Sequence, residues 1–239
     1  MFAPHTVKQE YGVTLDDIDI EKYYDELVAN PNVLKKKKDA REMLNMIAQT
    51  QLQSGYPYLM FKDNANKVHA NSNIGQIKMS NLCTEIFQLQ ETSIINDYGI
   101  EDEIKRDISC NLGSLNIVNV METGKFRDSV HIGMDALTVV SDEANIQNAP
   151  GVKKANNELH SVGLGVMNLH GYLAKNKIGY ESEEAKDFAN IFFMMMNYYS
   201  IERSMEIAKE RGEAYQDFDK SDYASGKYFD FYTSQEFVP

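Results

Sequence analysis

The run Ser80-Asn81-Leu82-Cys83-Thr84-Glu85 carries an amide, a thiol and a carboxylate at alternate positions. Side chains alternate between the two faces of a β-strand, so Asn81, Cys83 and Glu85 would project from one face, with Leu82 and Thr84 on the other. A small substrate would then meet a hydrogen-bonding amide, a sulfur able to act as nucleophile or one-electron centre, and a base. The same alternation also suits a half-buried strand whose polar groups are satisfied by neighbours. The second cysteine, Cys110, lies in Ile-Ser-Cys-Asn-Leu-Gly-Ser-Leu-Asn-Ile-Val, residues 108–118, a second strand candidate. Here Cys110, Leu112 and Ser114 share one face, and Asn111, Gly113 and Leu115 the other. A glycine inside a strand marks close backbone approach or a bulge.

These runs need elements to position them. Helices are expected over 21–28, closed by Asn30-Pro31, and over 38–53, where Ala40, Met43, Leu44, Ile47, Ala48 and Leu52 recur at helical spacing before Gly55 and Pro57. Tyr58 to Phe61 reads as a short buried strand, 62–76 as a polar loop, Ile77 to Glu85 as the strand carrying the site, and 90–107 as an acidic surface excursion. Further helices are expected over 126–145, 156–175 and 183–212, with Pro150-Gly151 as a break. Met194, Met195 and Met196 read as core filler, because methionine packs irregular gaps. Gly163, Gly165 and Gly171 fall inside the expected 156–175 helix at about 1 kcal/mol each relative to alanine. That points to close packing on a neighbour, since Gly-Leu-Gly here lacks the strand-turn-helix context of a phosphate loop. The chain thus reads as a helix and strand lead-in (1–76), the cysteine strands and loop (77–118) and a mainly helical remainder (119–239), an α/β arrangement with too few strands to close a sheet.

Composition narrows the function. A chain of 239 residues forms one large domain or two small ones. Its net charge of -12 and pI near 4.9 argue against nucleic-acid binding, which needs clustered Lys and Arg. The one basic run, Lys35 to Lys38, reads as a solvated helix start. Two cysteines build neither a disulfide framework nor a four-cysteine zinc site, and the five histidines are scattered, so no metal site is expected. No apolar run reaches the roughly 18 residues of a membrane span, and the N-terminus lacks a signal-peptide pattern. The expected setting is reducing and cytoplasmic.

Asn81-Leu82-Cys83-x-Glu85 followed by Asp107-Ile108-Ser109-Cys110-Asn111-Leu112-Gly113-Ser114-Leu115-Asn116 resembles the large (α) subunit of class I ribonucleotide reductase, most of all class Ib. The resemblance continues through Tyr24 to Val28, Ser54-Gly55-Tyr56-Pro57-Tyr58, Val162-Gly163-Leu164-Gly165, Asn168-Leu169-His170-Gly171-Tyr172 and Tyr223-Ala224-Ser225-Gly226. It implies part of a ten-stranded α/β barrel built from two half-barrels around a finger loop. Cys83 would then sit at the tip of a hairpin loop instead of within a regular strand. By match to the family motif, Cys83 would be the thiyl radical that takes hydrogen from the ribose C3′. Glu85 would take the 3′-hydroxyl proton, Asn81 would orient the substrate, and the run Asn81, Leu82, Cys83, Thr84 and Glu85 would line it. Cys110 corresponds to one thiol of the reducing dithiol. The resemblance further implies that this chain binds no cofactor, that a metal-containing small (β) subunit supplies the radical, and that ATP and dNTP effectors bind elsewhere. It implies a thioredoxin- or glutaredoxin-like reductant.

The sequence also departs from the family. The dithiol's second cysteine, the N-terminal specificity and dimer region, the substrate-phosphate loop, the paired radical-transfer tyrosines and the C-terminal cysteine pair have no counterpart in it. The chain corresponds to roughly the middle third of an α subunit. The expectation is a fragment from a split gene that works when assembled with the remaining α segments. Two alternatives stay open: a non-catalytic remnant or interaction module that binds a reductase subunit, and a stand-alone thiol oxidoreductase using Cys83 and Cys110. The last lacks the Cys-x-x-Cys arrangement that activates such thiols.

Overall fold

The computed structural model describes residues 1–96, 98–109 and 111–234. They fall into two compact units, Met1–Met60 and Phe61–Pro239.

The first unit holds three helices, α1 (Pro4–Tyr11), α2 (Ile20–Ala29) and α3 (Ala40–Ser54). Pro4 opens α1, where its missing N–H costs nothing. The Asp19 carboxylate caps α2 by accepting from the Lys22 N–H at 3.2 Å. Val7, Ile18, Leu27 and Val33 form the buried core. The chain start is tied beside residues 34–36 by Ala3 N–H to Leu34 O (2.8 Å) and Lys36 N–H to Met1 O (2.9 Å). Asp39 caps α3 through the N–H groups of Arg41 and Glu42, both at 2.9 Å, and Gly55 closes it in the left-handed conformation. The helices expected over 21–28 and 38–53 are therefore present. The expected strand at 58–61 is not: Tyr58, Leu59 and Phe61 are 49%, 50% and 71% exposed. No neighbouring strand takes up their backbone groups among the described residues, and an unpaired strand is not stable.

The second unit starts with α4 (Lys62–Val68), formed where a loop was expected; the Phe61 carbonyl accepts its first helical bond from Ala65. Further along lie β1 (Leu112–Asn116), α5 (Ile117–Thr123), α6 (Phe126–Glu143), α7 (Pro150–Leu159), β2 (Gly163–Met167), α8 (Leu169–Lys175), α9 (Glu183–Arg211), and the short α10 (Asp222–Ser225) and α11 (Asp230–Ser234). β1 and β2 pair in parallel, with Leu112 opposite Gly163 and Asn116 opposite Met167. Parallel neighbours need a long crossover, which α5, α6 and α7 provide. Ile117, Val130, Met134, Phe192 and Met196 form the core where α6 and α9 meet the sheet, with Leu115, Leu164 and Val166 packed on it. Met196 thus fills the core as its type suggested. Gly133 lets α6 come close: a Cβ there would lie 3.0 Å and 3.2 Å from the two methyls of Leu164.

Further sequence readings change in this unit. The expected helix over 156–175 is α7, β2 and α8 in succession, with His160 and Asn168 in left-handed conformations at the two breaks. Gly163 lets the two strands approach closely, since a Cβ there would overlap the Leu112 side chain across the sheet. Close packing is therefore the role of this glycine, but on a strand. Pro150 starts α7 and does not end the helix before it, since α6 already stops at Glu143. Among the described residues of 108–118, the strand runs over Leu112–Asn116, and it ends there because Asn116 turns the chain into α5 by capping the Asn119 N–H. The excursion over 90–107 is as expected, an arm closed by an antiparallel bridge between Ile94 and Glu103 with Ile95 and Ile100 exposed.

Residues 69–73 dock on the segment around α10. Tyr215 donates its hydroxyl to Asn71 Oδ1 (2.6 Å), Asp222 N–H bonds Ala70 O (2.7 Å), and Asn73 Nδ2 reaches Asp222 Oδ1 (3.1 Å). His69 lies beside this contact with its Nδ1 buried and unpartnered. Burial pushes its pKa below the ordinary 6.5, and the nearby Asp222 carboxylate only partly opposes this. The unfolded chain then binds a proton more readily than the folded one, so this stability is present above about pH 6.5 and is lost as pH falls toward the depressed folded value. Melting temperatures followed from about pH 7.5 down to about pH 5 should fall less steeply for His69→Gln than for the wild type. Parallel curves would show that His69 is not a source of the acid sensitivity.

Candidate active site

The segment 77–90 is a loop whose arms are held by side-chain amides. Asn66 Oδ1 accepts from the Ile77 N–H at 2.9 Å, and its Nδ2 donates to Ile77 O at 2.8 Å. Gln90 does the same for Met79, at 3.1 Å and 2.7 Å. These amides occupy the groups a neighbouring strand would use, so the strand expected over 77–85 does not form. Buried Ile77, Ile86 and Leu89 fasten the arms.

The tip turns at residues 82–84. Thr84 N–H donates to Asn81 O at 3.0 Å, and Thr84 takes a φ of +63°. Asn81 organises the turn: its Oδ1 accepts from the N–H groups of Glu85 and Ile86, both at 3.1 Å, and its Nδ2 donates to Glu85 Oε1 at 2.6 Å. Ser80 closes the base by donating its hydroxyl to Ile86 O at 2.7 Å. The turn thus brings Asn81 and Glu85 together, not through strand alternation but through side-chain bonds across the turn. Cys83 carries a free, exposed thiol at the tip, Leu82 is 79% exposed, and Thr84 is half-buried. The arrangement offers a positioned carboxylate beside an amide, with a sulfur on the same turn.

Cys110 lies outside the described residues, but both of its neighbours are held. Gln88 makes a double contact with Ser109, donating to its carbonyl at 2.6 Å and accepting from its N–H at 3.1 Å. The Ser109 hydroxyl donates to Asn156 Oδ1 at 3.0 Å, and Asn111 Nδ2 donates to the same oxygen at 2.9 Å. Ser141 on α6 adds a third donor at 3.0 Å, while Asn156 Nδ2 returns a bond to Ser141 O at 2.8 Å. Sequence reasoning missed Asn66, Gln88, Gln90 and Asn156. The one available signal was Asn156 beside Ala155 on the apolar side of a helix ending in Leu159.

The family description "Ribonucleotide reductase, barrel domain" matches residues 1–237. The chain belongs to this family. It is 54% identical over 239 residues to the ribonucleoside-diphosphate reductase subunit alpha of Bacillus subtilis (strain 168), covering 100% of this chain and 34% of that protein. It is 42% identical over 237 residues to the protein of the same name from Mycoplasma pneumoniae, covering 99% of this chain and 32% of that one. Among solved structures it is similar to an Actinobacillus ureae class Id ribonucleotide reductase alpha subunit, with a TM-score of 0.59 and 25% identity over 81% of this chain and 35% of that one. The chain spans about a third of the length of the curated relatives it matches. The helices and small parallel sheet are thus part of a ribonucleotide reductase barrel.

Elsewhere in this barrel segment, His131, Glu202 and Glu206 place possible ligand atoms within 4.8 Å of one another, a group that scattered histidines did not suggest. Arg127 donates to Glu202 at 2.8 Å and holds its carboxyl below the usual range, and Arg203 donates to Glu206 at 3.0 Å and Asp135 at 2.7 Å. The carboxylates are engaged by guanidinium groups, which makes the cluster an ion-pair network joining α6 and α9. No helix among the described residues is long and apolar enough to cross a membrane.

Replacing Asn156 by alanine leaves the Ser109 and Ser141 hydroxyls and the Asn111 amide without their shared acceptor. The Asn111 amide keeps the Ser161 carbonyl, so two buried hydroxyls are left unpaired at about 1–3 kcal/mol each, and Asn156→Ala is expected to lose about 2–6 kcal/mol in urea unfolding. A loss below about 0.5 kcal/mol, the scatter of surface substitutions, would remove this hub from the account.

Proposed function

We propose that this chain supplies the radical-site part of a ribonucleoside-diphosphate reductase α subunit, which converts ribonucleoside diphosphates to 2′-deoxyribonucleoside diphosphates. The observation that carries the reading is the turn itself: the Asn81 amide holds the Glu85 carboxylate at 2.6 Å on the turn that exposes the Cys83 thiol. The names of relatives at 54% and 42% identity support it.

In this reading a metal-containing small subunit generates the radical, which reaches Cys83 as a thiyl. The sulfur takes the hydrogen atom from C3′ and becomes a thiol, leaving a carbon radical. Glu85 accepts the 3′-hydroxyl proton through the oxygen that Asn81 does not hold, and Asn81 keeps the carboxylate aimed. The 2′-hydroxyl leaves as water. Cys110 and a second cysteine from the rest of the protein give two electrons and two protons and end as a disulfide, which a thioredoxin- or glutaredoxin-like protein reduces. Cys83 finally returns a hydrogen atom to C3′ and is a thiyl again, while Glu85 returns its proton to the 3′-oxygen. The net change is ribonucleotide plus dithiol to deoxyribonucleotide, disulfide and water. Effectors bind outside this segment, and the free thiol of Cys83 suits a reducing cytoplasm. The partners are the remaining α segments and the small subunit, with no nucleic-acid or membrane role.

The test is to produce the chain together with the flanking α segments and the small subunit and to measure nucleoside diphosphate reduction. Cys83→Ala is expected to abolish reduction, and Glu85→Gln to lower turnover by about 10²–10⁴, the usual contribution of a positioned base. Reduction that survives Cys83→Ala would end this reading. The exposed apolar side chains, among them Leu52 at 89% and Val68 at 80%, favour a second reading, a non-catalytic module that binds a reductase subunit. Capture of a complete α subunit with no activity in the assembly would select it.

A further inference from the structure

We propose that Gln88 is a positioning residue that holds the Asn81–Glu85 turn in register with Ser109 and, through it, Asn111; the proposal rests on the reading that both cysteines serve one reaction. Gln88 lies three positions beyond Glu85 on the returning arm of the loop. Ile86 and Leu89 on this arm are buried, at 7% and 2% exposure, so the arm has little freedom to swing away. From it the Gln88 amide closes both backbone groups of Ser109, at 2.6 Å and 3.1 Å. Ser109 and Asn111 are fixed in turn by the single buried oxygen of Asn156. One continuous path therefore runs from the turn through Gln88 and Ser109 to α7.

The contact requires a carboxamide, the side-chain group that presents one donor and one acceptor side by side at this reach. A regular ladder would fix the loop along its length. A single amide fixes it at one point and leaves the tip to fit a substrate. Because a misplacement of about 1 Å can cost about 10²-fold in rate, such a tie would be felt in turnover without any contact to substrate.

Gln88→Ala and Gln88→Glu test this through two independent readouts. In the 239-residue chain, amide exchange at Ser109 is expected to rise about tenfold in Gln88→Ala, from loss of its two bonds. In Gln88→Glu the ionised carboxylate still accepts from the Ser109 N–H but cannot donate to its carbonyl, so exchange measured against the intrinsic rate should rise less than in Gln88→Ala and return toward wild type as pH is lowered through the carboxyl's titration and the donor is restored. In the assembly with flanking segments, Gln88→Ala should lower kcat by about 10²-fold while KM stays within about twofold. Wild-type exchange at Ser109 in Gln88→Ala overturns the proposal, as does an unchanged kcat when exchange has risen. If Gln88→Ala fails to fold, the pH dependence of Gln88→Glu decides: its absence overturns the proposal. A wild-type assembly that reduces nothing sinks the functional reading instead, and the exchange measurements then decide the tie alone.

Discussion

The described structure of the second unit depends on one buried carbonyl oxygen. Asn156 Oδ1 accepts from the Ser109 hydroxyl, the Ser141 hydroxyl and the Asn111 amide, and so joins α7, α6 and the entry to β1. Asn156, Ser109 and Ser141 are 3%, 2% and 2% exposed, so water cannot readily replace the two hydroxyl bonds. Unpaired buried donors are costly, which makes the arrangement close to all-or-none. Its consequence is register. Asn111 also donates to Ser161 O at 3.3 Å and accepts from the Gly163 N–H at 2.8 Å, so the residue that Asn156 holds starts both strands of the sheet. Leu112 then falls opposite Gly163, where its side chain lies over the space a Cβ would take.

The same economy of means builds the loop that carries Cys83. Asn66, Gln90, Gln88 and Asn81 each use a side-chain amide where a sheet would use backbone. Such a loop is pinned at points, and between the pins it can take conformations closed to a strand, including the positive φ of Thr84. This is how residues spaced for alternation along a strand come to meet across a turn instead. Asn81 bonds the backbone of Glu85 and Ile86 with its oxygen and the Glu85 carboxylate with its nitrogen, so one residue sets both the turn and the direction of that carboxylate.

What was legible in the sequence follows from the range of the forces involved. α2, α3, α6 and α9 are written locally, in a capping Asp19, Asp39 or Ser182, apolar side chains at helical spacing, and closing glycines such as Gly55 and Gly212. β2 was hidden because Val-Gly-Leu-Gly-Val-Met lacks a strong period, and its strand character comes from β1, far away in the chain. The site residues Asn81 and Glu85 were legible as chemical types at close spacing. Gln88 and Asn156 were not, because the importance of an amide depends on which donors the fold brings to it.

The exposure of the turn bears on how the proposed reaction divides among parts of the protein. A radical sulfur must be kept from water and from side reactions, and a base is most effective where solvent is excluded. Cys83 and Glu85 are exposed and Leu82 is almost wholly so, while the loop beneath them is firmly built on Ile77, Ile86 and Leu89. The described residues thus hold the reacting groups in place but do not shelter them. A relative three times as long has ample further chain to form the walls of that site. Positioning is internal to this segment, whereas exclusion of water and the second reducing thiol belong, in the proposed reaction, to the rest of the subunit. That division predicts the order of dependence: the turn can be formed before assembly, and the chemistry cannot.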